Sequence, residues 1–179
     1  NKKFGRARKY LLEVIDIYPE IYPVGHGEFT RLYTLAFLYY QAVSEKTKSL
    51  EYALASLELS EKNYGKDNYR TISLVRNVAV AYQENGDFMK SIDYGKMELE
   101  IIEKLIGDAP HIRKAEVLNN MGQAYRKIDH NQSIKHTSAA LDIKIDLLGV
   151  EDPSTVSTIL NMASELMSGN ELEKGKSYL

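Results

Sequence analysis

An internal period of 42 residues constrains the fold of this chain more than any single motif in it. Counting from Ala7 in steps of 42 gives Ser49, Ser91, Ser133 and Gly175, all small. Three positions later stand Tyr10, Tyr52, Tyr94, His136 and Tyr178, and then Ile15, Leu57, Leu99 and Leu141. Each of these last four is followed by an acid, Asp16, Glu58, Glu100 or Asp142, and then by Ile17, Leu59, Ile101 or Ile143. Gly65, Gly107 and Gly149 close the unit at the same spacing. A period of this length marks stacked supersecondary units, none of which can bury its apolar face alone.

A second set of columns has steps of 43, 43 and 41. It holds Ala36, Ala79, Gly122 and Ala163, preceded by Leu35, Val78, Met121 and Met162 and followed three residues on by Tyr39, Tyr82, Tyr125 and Leu166. The drift falls in the link to the next small residue, where a turn absorbs an inserted or deleted position. Both sets follow the i, i+3, i+4, i+7 stripe of an amphipathic helix, as in Val75, Val78, Ala79 and Tyr82. Stop signals agree. The Gly column can take the left-handed conformation that ends a helix. Asp108-Ala109-Pro110 and Asp152-Pro153-Ser154 offer a cap residue and an early proline for the next helix. Asn85-Gly86-Asp87 is a turn inside one unit. No stretch alternates with period two, so no strands are expected.

The pattern predicts an all-α solenoid of antiparallel helical hairpins. It opens inside a second helix (about 4–18), holds hairpins over 28–64, 68–106 and 111–148, and adds a first helix over 153–168 with the stub of its partner. In repeat terms these are a partial unit 1–27, full units 28–65, 66–107 and 108–149, and a partial unit 150–179 of a single array. With no polar capping helix expected at either end, the segment reads as cut from a longer protein.

Composition narrows the function. Hydrophobic residues at 44% and charged residues at 27% are ordinary globular values. A net charge of −2 leaves no basic excess for phosphates, which argues against a dedicated nucleic-acid or membrane-surface protein. The absence of cysteine excludes a disulfide scaffold, a thiolate zinc site and a Cys nucleophile. The apolar stretch 32–40 is about half of the roughly 20 residues a membrane helix needs. The chain begins Asn1-Lys2-Lys3 with no apolar leader, and a cytoplasmic location is expected.

The order small residue, aromatic three later, turn, small residue, aromatic three later resembles the tetratricopeptide repeat. The 42-residue period, with Leu118-Asn119-Asn120-Met121-Gly122-Gln123-Ala124-Tyr125, Ala140-Leu141-Asp142-Ile143 and Leu148-Gly149-Val150-Glu151-Asp152-Pro153, is similar to the long-helix variety found in kinesin light chains and in many bacterial and fungal signalling proteins. The likeness covers nearly the whole chain. It departs from the pattern at Glu165 and Leu166, at the shortened turn Ile128-Asp129-His130, and at Asn68, Ala109 and Asp152.

The resemblance implies a non-catalytic scaffold that binds a peptide segment or partner protein in a concave groove lined by the first helices. It implies that Asn77, Asn120 and Asn161 match the groove asparagine, whose amide suits bidentate bonding to a peptide backbone. The alternative is that these amides bond the neighbouring helix and set the stacking. Further groove positions it implies are Tyr33, Arg76 and Asn119, then Phe37 and Gln123, then Tyr40, Arg126 and Lys127. Arg76, Arg126 and Lys127 would favour an acidic partner or a terminal carboxylate, or are simply solvated cations. Tyr33, Phe37 and Tyr40 would form an aromatic end of the groove, or belong to the core. Rival functions are a peptide-sensing module attached to an effector domain and self-association through uncapped repeat ends.

Catalysis finds no support in the residues. The acidic column is expected on a solvated face, one repeat apart, rather than converging as acid/base chemistry requires. His26, His111, His130 and His136 lack metal-ligand spacing, so no metal or other cofactor is expected, and His136, in the Tyr column, is expected to pack inside a hairpin. Residues 170–177, ending Gly175-Lys176-Ser177, imitate a phosphate loop but lack its first glycine and any preceding strand.

Overall fold

The computed structural model describes residues 2–23 and 25–168, and every regular element among them is an α-helix. In chain order these are α1 (Lys2–Ile21), α2 (Glu28–Ala42), α3 (Lys46–Tyr64), α4 (Tyr69–Asn85), α5 (Phe88–Ile106), α6 (Ile112–Tyr125), α7 (His130–Leu148) and α8 (Pro153–Ser168). The periodicity located each of them. Gly175, Tyr178, the stub of the last hairpin and the phosphate-loop imitation lie outside the described residues.

The predicted stops are largely where the sequence puts them. Gly65, Gly107 and Gly149 have φ of 82°, 78° and 81°, open to glycine at little cost, but at Gly65 and Gly149 ψ of 166° and 169° is extended rather than the left-handed helical value expected. Asp152 caps α8, accepting from the backbone N–H of Ser154 at 2.8 Å, with Pro153 as the first helical residue. At α6 the expectation is corrected. The cap is His111, whose Nδ1 accepts from the Arg113 N–H at 3.1 Å, rather than a residue of 108–110. His111 takes the extended conformation from which a side chain can reach the first turn.

The chain divides into two compact units, Asn1–Asp87 and Phe88–Leu179. In the first, α1 packs on α2, α2 along α3, and α3 on α4. Phe29, Leu32 and Leu59 form a core cluster against Leu11, Ile15, Tyr18, Tyr22 and Tyr33. Burying one such large apolar side chain contributes roughly 1.5 to 3 kcal/mol. Ser49 and Ala36, one from each small-residue column, are completely buried. Between α2 and α4, Gln41 Nε2 donates to Glu84 Oε1 at 2.9 Å. On α1 the column residues Tyr10 and Ile17 stay 64% and 48% exposed, so the apolar pattern of this helix is only partly covered within the described residues.

In the second unit α5 packs on α6, α6 on α7, and α7 on α8. Ser133 Oγ donates to the Gly122 carbonyl at 2.8 Å, joining the two small-residue columns directly. A third such column, Ala53, Gly95 and Thr137, escaped the sequence reading. A Cβ at Gly95 would come within 2.6 Å of Met121 Cγ, so α5 approaches α6 through that glycine. The acid column does point outward, with Asp16, Glu58, Glu100 and Asp142 all exposed.

Lys144 of α7 is buried, and its ammonium donates to the Ser154 carbonyl at 3.1 Å, Ser154 Oγ at 2.8 Å and Thr158 Oγ1 at 2.9 Å. Burial holds its pKa below the ordinary lysine value, against the opposing pull of Glu116 and Asp152. The side chain thus pins the start of α8 to α7. Lys144→Met keeps the stem but removes every donor, and should lower stability by about 1 to 3 kcal/mol. A urea melt that matches the unmutated protein would show that these bonds contribute nothing net.

Candidate functional site

Helices α2, α4, α6 and α8 carry the residues expected to meet a ligand, and their sequence stripes fix which face each residue occupies. The three members of the asparagine column, Asn77, Asn120 and Asn161, differ in what they bond. Asn161 Nδ2 on α8 donates to Asn119 Oδ1 on α6 at 3.2 Å, and both residues are half-buried. That bond joins the first helices of consecutive repeats, the stitching alternative. Asn77 on α4 and Asn120 on α6 are half-buried as well, yet neither amide has a hydrogen-bond partner among the described residues. An amide in a helix interior costs propensity and gains nothing there unless a bond compensates. Gln123, one turn beyond Asn119, is likewise half-buried with no partner among the described residues.

The cations behave differently from one another. Arg126 is already answered within its own unit, its Nε in contact with Oε1 of Glu165, a carboxylate buried completely. His130 Nδ1 stands 3.8 Å from the other carboxylate oxygen. Glu165 is a departure from the repeat pattern. Arg126 at the end of α6 is its counter-charge. Arg76 is half-buried and engaged within the protein. Lys127 is exposed and has no partner among the described residues.

The aromatic end of the groove does not form as expected. Tyr33, Ala36, Phe37 and Tyr40 make one i, i+3, i+4, i+7 stripe, and Ala36 puts that stripe against the partner helix. Phe37 is 2% exposed. Tyr40 stacks on Tyr52 of α3 with centroids 5.4 Å apart and planes 6° from parallel, and Tyr33 lies 6.0 Å from the same ring. Burial, then the neighbouring Tyr40, Glu51 and Tyr33, raises the Tyr52 pKa. Phe37 and Tyr40 are therefore corrected from groove to the α2–α3 core, while Tyr33, half-buried, packs against the Phe29, Leu32 and Leu59 cluster. His136 is packed in its hairpin, stacked on Tyr125 at 4.8 Å. Among the described residues no three His, Asp or Glu side chains gather as a metal site would require.

No protein-family model matches the chain. Among curated proteins, the clustered mitochondria protein homologs of Aspergillus niger and Emericella nidulans are 26% and 25% identical over 162 residues, 89% of the chain. The match spans only 13% of the length of each relative. Among solved structures, BtubC (BKLC) from P. vanneervenii has a TM-score of 0.83 at 22% identity, covering 99% of this chain and 70% of that one. The nearly identical TPR-like repeats of a Podosopora anserina protein assigned as a kinesin light chain have a TM-score of 0.79 at 15% identity, covering 99% of this chain and 90% of that one. The apo form of RapI has a TM-score of 0.75 at 18% identity, covering 96% of this chain and 62% of that one. The fold is therefore that of tetratricopeptide-like helical repeats. No described helix is long and apolar enough to cross a membrane.

Proposed function

We propose that this tetratricopeptide-like domain is the non-catalytic, partner-binding segment of a larger protein, and that it grips an extended peptide through the first helices of its repeats. The observation that carries this is the split of the asparagine column. Asn119 and Asn161 are paired with each other, whereas Asn77 and Asn120 hold half-buried amides with nothing inside the described protein to bond. An extended backbone offers alternating N–H and C=O groups that a primary amide matches at both ends. A cytoplasmic partner is expected. The name of the curated relatives, clustered mitochondria protein, makes proteins at the mitochondrial surface the first candidates.

Affinity capture with the full-length host protein, followed by mapping of the bound segment, supplies the ligand. Each net hydrogen bond contributes about 0.5 to 1.5 kcal/mol, and an unpaired buried group costs about 1 to 3. Asn77→Ala with Asn120→Ala should therefore weaken binding of the mapped segment by about 10-fold to several hundred-fold. Capture of the same segment by the double mutant at undiminished affinity would remove the amides from the site.

A further inference from the structure

An open cavity of about 370 Å³ lies between α2 and α4 at the end of α3, inside the first unit. That volume is within the range of small-ligand pockets, roughly 300 to 1,000 Å³. Its charged lining consists of Arg31 and Glu28 from α2 and Arg70 from α4. Arg31 is exposed and has no partner among the described residues. The Arg70 guanidinium sits 4.7 Å from the centre of the Tyr64 ring, which leaves its outward N–H groups available and restrains its position. Thr30 Oγ1, also in the wall, is buried without a hydrogen-bond partner.

We propose that this cavity binds a carboxylate side chain of the partner peptide, held between the guanidinium groups of Arg31 and Arg70. Two cations against the single carboxylate of Glu28 leave one positive charge to satisfy, which matches one carboxylate. A phosphate dianion would bring a surplus negative charge toward Glu28. The pocket is also continuous with the peptide track. Ser73 lines it, and Asn77 is four residues further along α4 on the same face, one turn or about 5.4 Å away. A backbone gripped at Asn77 would place an adjacent side chain over the cavity. The pocket's role thus rests on the backbone grip proposed above, and it moves acidic recognition away from Arg76 and Arg126, both engaged within the protein.

The test uses a fluorophore-labelled, blocked hexaglutamate peptide as probe, with hexaglutamine as its uncharged counterpart, read by anisotropy at low ionic strength. Hexaglutamate should bind and hexaglutamine should not. Arg31→Gln and Arg70→Gln should each weaken hexaglutamate binding about 10-fold. Lys135→Gln, which removes an exposed cation of α7, should leave it unchanged. Arg31 and Arg70 are exposed, so their variants should fold, and a helical circular dichroism melt confirms it. If Asn77→Ala binds normally while both arginine variants weaken, the pocket stands and the backbone grip falls. The pocket falls if hexaglutamate fails to bind, if the arginine variants bind like the unmutated protein, or if Lys135→Gln weakens binding equally. It falls too if inorganic phosphate displaces the peptide at peptide-like concentrations.

Discussion

Replacing Arg126 with alanine should destabilise the second unit by about 3 kcal/mol or more, because it takes away the cation in direct contact with the buried carboxylate of Glu165. That carboxylate has no exposed surface. His130 Nδ1, at 3.8 Å from the other carboxylate oxygen, is more distant than Arg126. The cost belongs to the uncompensated charge rather than to the pair. Arg126→Ala combined with Glu165→Leu should therefore regain much of the stability lost in the single mutant. Urea melts of both variants decide the matter. An unchanged midpoint for Arg126→Ala would mean that Glu165 is satisfied without it.

Gly122→Leu should be comparably severe. A Cβ at residue 122 would collide with Thr137 Oγ1 and lie 3.3 Å from both the Ser133 carbonyl oxygen and the Thr137 nitrogen. Two of those three obstacles are backbone atoms of α7, which cannot rotate aside. A leucine there would force α6 and α7 apart and strain the 2.8 Å bond from Ser133 to the Gly122 carbonyl. Overpacking typically costs about 1 to 3 kcal/mol, and a contact against backbone belongs at or above the top of that range. Gly122→Ala should cost less but still lower the thermal midpoint. A leucine variant that melts with the unmutated protein would place Gly122 away from the helix contact.

These two sites show what a single sequence can and cannot reveal. Gly122 was legible because its column holds only Ala and Gly where the neighbouring columns hold large residues, and close helix approach demands that pattern. Glu165 was legible only as an anomaly. Its partner, Arg126, lies 39 residues away, and no periodicity announces an ion pair that occurs in one repeat alone. The aromatic stripe of α2 failed for a related reason. Position in the repeat put Tyr33, Phe37 and Tyr40 on the groove side, but their bulk and the presence of Tyr52 on α3 draw them into the hairpin. His111 as a cap was missed because histidine is not among the common cap residues. The cavity residues Arg31 and Arg70 belong to no column and line one cavity only because α2 and α4 both pack on α3 and flank its end.

The central claim is that the amides of Asn77 and Asn120 serve a ligand while that of Asn161 serves the fold. It is tested most directly by isothermal titration of the captured segment into the Asn77→Ala, Asn120→Ala double mutant, with a urea melt of the same sample. The expected result is affinity lower by at least about 10-fold with the melt midpoint close to that of the unmutated protein. Unchanged affinity with a lowered midpoint would contradict it, showing these asparagines to be part of the helix stacking and leaving any bound peptide to other residues.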